Sequence, residues 1–220
     1  MPAPAPAAVS FRDATLSDVT AVVDLVQSAY RGESSRAGWT TEADLLDGAR
    51  TDADAVRTVI SAPRTVVMLA RQNGTRGRPV GSDHTDAHAS IDADHTGADH
   101  THADLADAAL AADELLACCE LRDEGGGRGY FGMFAVRPEL QGAGIGRAVL
   151  AEAERRVAAE WQCYVLRMTV IRQRADLIAW YERLGFAPTG KTSPFPHNDE
   201  RFGRPKRPDL EFAELAKALV

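Results

Sequence analysis

The chain has little cysteine, no long apolar run and no surplus of positive charge, and each shortage closes off a class of protein. Three cysteines in 220 residues, two of them adjacent at Cys118 and Cys119 in an apolar stretch, cannot build a disulfide framework. They read as packing residues and suit a reducing compartment. No run of about eighteen apolar residues occurs, so no membrane-spanning helix and no membrane partner are expected. The opening Met1-Pro2-Ala3-Pro4-Ala5-Pro6 has neither the basic start nor the apolar core of a secretory signal; it reads as a disordered tail over residues 1–8 of a cytoplasmic protein. Lys and Arg number 25 against 32 Asp and Glu, a formal net charge of −7. That balance argues against nucleic acid as a partner, because such affinity rests on neutralising phosphates.

A chain of this length fits one domain with a decoration, here residues 9–220. Val9-Ser10-Phe11-Arg12 reads as a strand, followed by a helix over residues 17–30 with Val19, Val22, Val23, Val26 and Tyr30 on one face. Thr41-x-x-Asp44 has the form of a capping box opening a short helix, and Val56, Val59 and Ile60 suggest another before Pro63. Residues 65–70 and 115–121 are apolar strand candidates. Between them, over about residues 73–113, Asp, His, Thr, Ala and Gly recur with few aliphatics and no clean period, which makes a poor core former. A surface insertion is expected there, with a frayed helix across residues 103–116. Five of the six histidines, His84, His88, His95, His100 and His102, lie in it among aspartates. Imidazole and carboxylate together suit zinc or nickel, but no rigid ligand spacing is visible, so a solvated segment is favoured and no metal site is assigned.

The most informative stretch is Phe134-Ala135-Val136-Arg137-Pro138-Glu139-Leu140-Gln141-Gly142-Ala143-Gly144-Ile145-Gly146, an apolar run stopped by proline and converted by a glycine turn into a helix. Glycines remove side chains that would keep an anion off the backbone, and a helix opening offers unpaired N–H groups with a favourable dipole. The helix carries Ile145, Val149, Ala153, Val157 and Trp161 as an apolar stripe. A strand over residues 164–170 and a second helix over 174–184 follow, the latter closed by Gly185. A Walker-type loop is excluded because Arg147 and Ala148, not Lys and Ser/Thr, follow Gly146. A dinucleotide fingerprint fits poorly: the third glycine comes too soon and the next strand ends Met168-Thr169-Val170 without an acidic residue.

Gln141-Gly142-Ala143-Gly144-Ile145-Gly146 and, about forty residues on, Tyr181-Glu182-Arg183-Leu184-Gly185-Phe186 are the two signatures by which the chain resembles the GNAT superfamily of acetyl-CoA-dependent N-acetyltransferases. The resemblance is clear over residues 128–190 and fainter over 9–71. It implies an α/β (α+β) fold: a mixed, mostly antiparallel central sheet with two splayed parallel strands and helices on both faces. It implies acetyl-CoA as co-substrate, held by the backbone of Phe134, Ala135 and Val136 and by the turn Gln141, Gly142, Ala143, Gly144, Ile145, Gly146 and Arg147. Arg174 stands where many relatives have asparagine and could pair with a CoA phosphate.

By the same resemblance Tyr181 is the general acid toward the CoA sulfur, against the alternative of a core tyrosine on the face of Leu177 and Leu184. Glu120 is the candidate general base if it faces the cavity, and Glu33 is a weaker second choice. The acceptor, a small-molecule or peptide amine, would meet Tyr30, Glu33, Trp39 and Phe195, although Trp39 could equally be a core lid. A homodimer is compatible with the resemblance. The alternative to an active enzyme is a catalytically poor CoA-binding regulatory or interaction module of the same fold.

Overall fold

The computed structural model describes residues 9–72, 114–197, 199 and 202–219. The tail over 1–8 and the insertion over 73–113, with its histidines, lie outside the described residues. So does most of the helix expected over 103–116, whose last two positions, Leu115 and Leu116, open a strand instead.

Strand β1 (Val9–Asp13) leads through a 3₁₀ turn into helix α1 (Val19–Tyr30), whose buried Val19, Val22, Leu25 and Val26 follow the helical period. A short β2 (Leu46–Asp47) precedes α2 (Ala53–Ser61), whose N-cap Asp52 accepts from the Ala55 amide. Strands β3 (Thr65–Gln72), β4 (Leu115–Gly125) and β5 (Arg128–Val136) form an antiparallel ribbon. Helix α3 (Ile145–Trp161), strand β6 (Val165–Ile171), helix α4 (Ala175–Glu182), and strands β7 (Ala187–Pro194), β8 (Arg204–Pro205) and β9 (Glu211–Ala218) complete the described chain. The seven-stranded sheet runs β1-β3-β4-β5-β6-β9-β7, antiparallel throughout except for β5 beside β6; β2 and β8 pair separately.

The sheet separates two apolar layers. On one face α3 and α4 cover Met68, Cys119, Leu121, Phe131, Leu166 and Leu215; on the other α1 and α2 cover Val67, Leu69, Cys118 and Ala135. Alternation along β4 is the cause, successive side chains entering opposite layers. It therefore assigns Glu120 to the α1/α2 face. A third, smaller cluster of Leu46, Ile171, Phe195 and Leu210 closes the C-terminal end of that face. Burial holds both adjacent thiols protonated, pushing Cys118 up to about 12 and Cys119 well above its ordinary value, as packing residues should be.

The helix expected after Thr41 is absent. Asp44 is drawn off to Arg36 at 2.8 Å, and Leu46 is pulled into the two-residue ladder with Pro205, so only a single turn forms. The ends of β3 and β4 flanking the insertion are hydrogen-bonded, the Gln72 amide to the Glu114 carbonyl at 3.4 Å.

Candidate active site

The site is built around a parting of the sheet. β5 and β6 pair only at Arg128/Val165, Gly129/Leu166 and Tyr130/Arg167, then separate. The register between β4 and β5 slips by one residue between Cys118 and Glu120, and Met133 within the slip takes φ +41°. Such a bulge adds a residue to one strand and bends it, and here it turns β5 away from its parallel neighbour. The gap is a cleft that passes through the sheet: Phe131, Met168, Leu177 and Tyr181 reach it from the α3/α4 layer, and Tyr30, Met133, Ile171 and Phe195 from the other side.

At one end of the cleft lies the glycine turn. Gly142 and Gly144 sit at φ +88° and +87°, and a Cβ at either would meet nothing within 4 Å, so their backbone faces open space. Gly144 is the N-cap of α3, and the first intrahelical bond runs from the Ala148 amide to its carbonyl at 3.1 Å. The amides of Ile145, Gly146 and Arg147 therefore have no acceptor within the helix. Arg147 is exposed and forms no ion pair among the described residues. The arrangement suits the pyrophosphate expected there. Gly146 has a different reason for being glycine: a Cβ would lie 3.3 Å from the Phe134 ring and 3.6 Å from Trp180, so its smallness lets α3 close on β5 and α4.

Two residues assigned to the cofactor from sequence make other contacts. The Gln141 side chain accepts from the amides of Trp39 and Thr40 at 2.9 and 3.2 Å, and donates to Thr40 Oγ1 at 2.7 Å and the Val136 carbonyl at 3.1 Å. Arg174 is buried and donates to the carbonyls of Thr40 and Trp39 at 2.8 and 3.5 Å instead of standing free for a phosphate. Together they clamp one dipeptide from both sides, its N–H groups held by Gln141 and its carbonyls by Arg174. The Phe134 carbonyl is likewise engaged, by the hydroxyl of Tyr30. Burial pushes that hydroxyl up to about 12.

Tyr181 is 5% exposed, its ring against Trp180 at 4.9 Å and Phe186 at 5.8 Å. Tyr181 lines the cleft, and its hydroxyl has no hydrogen bond to any described residue. Burial, reinforced by nearby Tyr30, holds the phenol well above its ordinary value. Its ring is packed as part of the core, and its phenol stays protonated through the neutral range. Glu120 is paired across the ladder with Gly132, which lines the cleft, and a Cβ on Gly132 would stand 3.4 Å from the Glu120 carboxylate. Its side chain is 13% exposed, with Arg122 at 3.3 Å, and burial raises its carboxyl despite that guanidinium. Beside it Tyr130 lies between the guanidinium groups of Arg122 and Arg167 and shares a hydrogen bond with Thr169 at 3.1 Å.

Of the acceptor candidates, Tyr30 and Phe195 line the cleft. Glu33 does not: it caps the N-terminus of a 3₁₀ turn with its side chain 92% exposed beside Arg36. Trp39 is half-exposed and rests on Trp180 at 6.0 Å, a cover over the aromatic stack rather than a wall of the cleft. Sequence reading missed Glu42, Arg50, Phe202 and Phe212, which also line it. They come from loops and the last strand, where no periodic pattern marks a residue as inward-facing.

The Acetyltransferase (GNAT) family model matches residues 64–186, which contain the parted strands, the glycine turn and Tyr181. The chain belongs to the GNAT acetyltransferase family and is an acyltransferase. Solved structures agree in fold. The ribosomal-protein-S18-alanine N-acetyltransferase from Escherichia coli superposes with a TM-score of 0.58 at 15% identity, over 96% of this chain and 94% of that one. The spermidine N-acetyltransferase from Vibrio cholerae, in complex with CoA and spermine, gives 0.59 at 10% identity, over 96% and 95%. A comparison with curated proteins returns no match.

Proposed function

We propose that the protein transfers the acetyl group of acetyl-CoA to a primary amine of a small molecule or peptide by direct attack. The observation that carries this reading is the parting of β5 from β6 above the unfilled amides of the Gly142–Gly144 turn. An anion held by the turn directs the rest of an extended ligand into the gap, where the edge of β5 facing β6 is unpaired past Tyr130 among the described residues. Bound there, acetyl-CoA supplies the thioester.

The chain's residues supply what remains. Glu120, its carboxyl raised above its ordinary value by burial, takes a proton from the incoming ammonium, directly or through water. As the N–C bond forms, a backbone amide near the Met133 bulge stabilises the oxyanion, fixed in place before reaction. As the C–S bond breaks, Tyr181 donates a hydrogen bond or its proton to the departing sulfur. Glu120 and Tyr181 belong to opposite faces of the sheet; Tyr181 lines the gap, and Glu120 borders it through its ladder partner Gly132, which lines it. A thiol-release assay with acetyl-CoA across amines, amino acids and lysine peptides tests the proposal. Saturable thiol release that depends on the amine supports it; CoA binding without turnover of any amine refutes it in favour of a binding module.

A further inference from the structure

Three charged side chains line the cleft: Glu42, Arg50 and Arg174. Arg174 is engaged by the Trp39 and Thr40 carbonyls. Glu42, buried at the cleft floor, receives Arg31 at 2.6 Å and the Nε of Arg50 at 3.5 Å, so two guanidinium groups surround one carboxylate with a charge of +1 left over. Arg31 is sealed in beneath, 8% exposed. Arg50 is the outer member: its side chain is 31% exposed, and its guanidinium lies over the Tyr30 ring 5.5 Å from the centroid. Its two terminal nitrogens form no hydrogen bond with any described residue.

A guanidinium fixed by stacking on one side and by an ion pair at Nε presents the remaining N–H groups as a planar fork, which matches a carboxylate in both spacing and charge. The hydroxyl of the same Tyr30 is bonded to the Phe134 carbonyl where β5 bulges, so the ring under Arg50 is tied to the parted strands. Past Arg50 the wall is apolar, formed by Leu46, Ile171, Phe195, Phe202 and Phe212. A polyamine entering this cleft would meet surplus positive charge, and the one carboxylate lining it already has two cationic partners.

We propose that the acceptor is an amino acid, or an analogue of that size, with an apolar side chain: its carboxylate docks on Arg50, its side chain lies against the phenylalanines, and its amine points to the parted strands. The inference rests on the N-acetyltransferase reading and narrows it to a substrate class. The test uses matched pairs differing only by the carboxylate, phenylalanine with phenethylamine and leucine with 3-methylbutylamine. Binding to the CoA-saturated protein is read by calorimetry, and turnover by thiol release. The acids are expected to bind about 10- to 100-fold more tightly than the amines, the range for hydrogen bonds to a charged partner. Arg50→Gln should bring each pair within about threefold, while Arg50→Lys, which keeps the charge without the fork, should retain part of the preference. Amines that bind as well as the acids, acids that do not bind, or a preference surviving in folded Arg50→Gln overturn the proposal. Acids that bind through Arg50 without any turnover would leave the carboxylate site standing and remove the transferase reading. Turnover confined to the decarboxylated amines would do the reverse.

Discussion

Replacing Tyr181 by phenylalanine separates packing from proton donation at one residue. The ring keeps its contacts with Trp180 and Phe186, and the hydroxyl it loses makes no hydrogen bond within the described protein. The cost to stability should therefore stay below about 0.5 kcal/mol, a melting shift of about 2 °C or less for a domain of this size. Positioned acids and bases typically contribute about 10²–10⁴-fold, equivalent to about 3–5.5 kcal/mol of barrier, and turnover should fall within that range. Acetyl-CoA affinity, measured by calorimetry, should change by less than threefold. Because burial keeps the phenol protonated through the neutral range, the loss should be uniform from pH 6 to pH 9. The decisive assay is single-turnover thiol release, so that product release does not mask the chemical step. A loss smaller than threefold there, or a melting temperature lower by more than about 5 °C, would return Tyr181 to the core alone.

Gly144→Ala places a methyl group on the open side of the turn and forces an L-residue to φ +87°. It should weaken acetyl-CoA binding by about tenfold or more and cost about 1–2 kcal/mol of stability; unchanged affinity in the folded variant would refute the cradle. Gln141→Ala and Arg174→Ala each release the Trp39–Thr40 dipeptide, costing about 1–3 kcal/mol. Because both hold the same two residues, denaturant unfolding of the double variant should fall short of additivity by about 0.5 kcal/mol or more, and simple additivity would show that they act independently. Glu120 has a raised carboxyl pKa, so its contribution to stability is fully present below its ordinary value of 4.5 and is lost as pH rises through the raised value. Glu120→Gln should therefore melt higher than the parent at pH 7, with the difference vanishing below about pH 4, while turnover falls by about 10²–10⁴-fold. A lower melting point at pH 7 would mean that the Arg122 pair outweighs burial.

Elements that are long and built from one local period were readable. α1, α3, β3 and β4 stand within a few residues of where their apolar spacing puts them, because each buries a face against the sheet. The glycine turn was readable for the same local reason. What escaped depends on partners far along the chain. Thr41 and Asp44 have the right spacing for a cap, but Arg36 and the β8 strand compete for their segment. Gln141 sits in the expected motif, yet its side chain serves residues about a hundred positions earlier. Arg50 carries no pattern at all; its place over Tyr30 is set by the packing of two separate segments.

Three residue pairs join β5 to β6, whereas seven join β6 to β9 and five join β1 to β3. In mechanical terms the sheet is two plates with a short weld between them. A ligand lying in the parted region can be gripped only while both plates are in register, so it acts as a rivet as well as a reactant. At a free concentration one hundred times its dissociation constant, such a ligand adds about 2.7 kcal/mol to the folded state. If that ligand is the acetyl-CoA proposed above, the endurance of the fold would follow its supply, with the emptied protein the first to be unfolded or degraded.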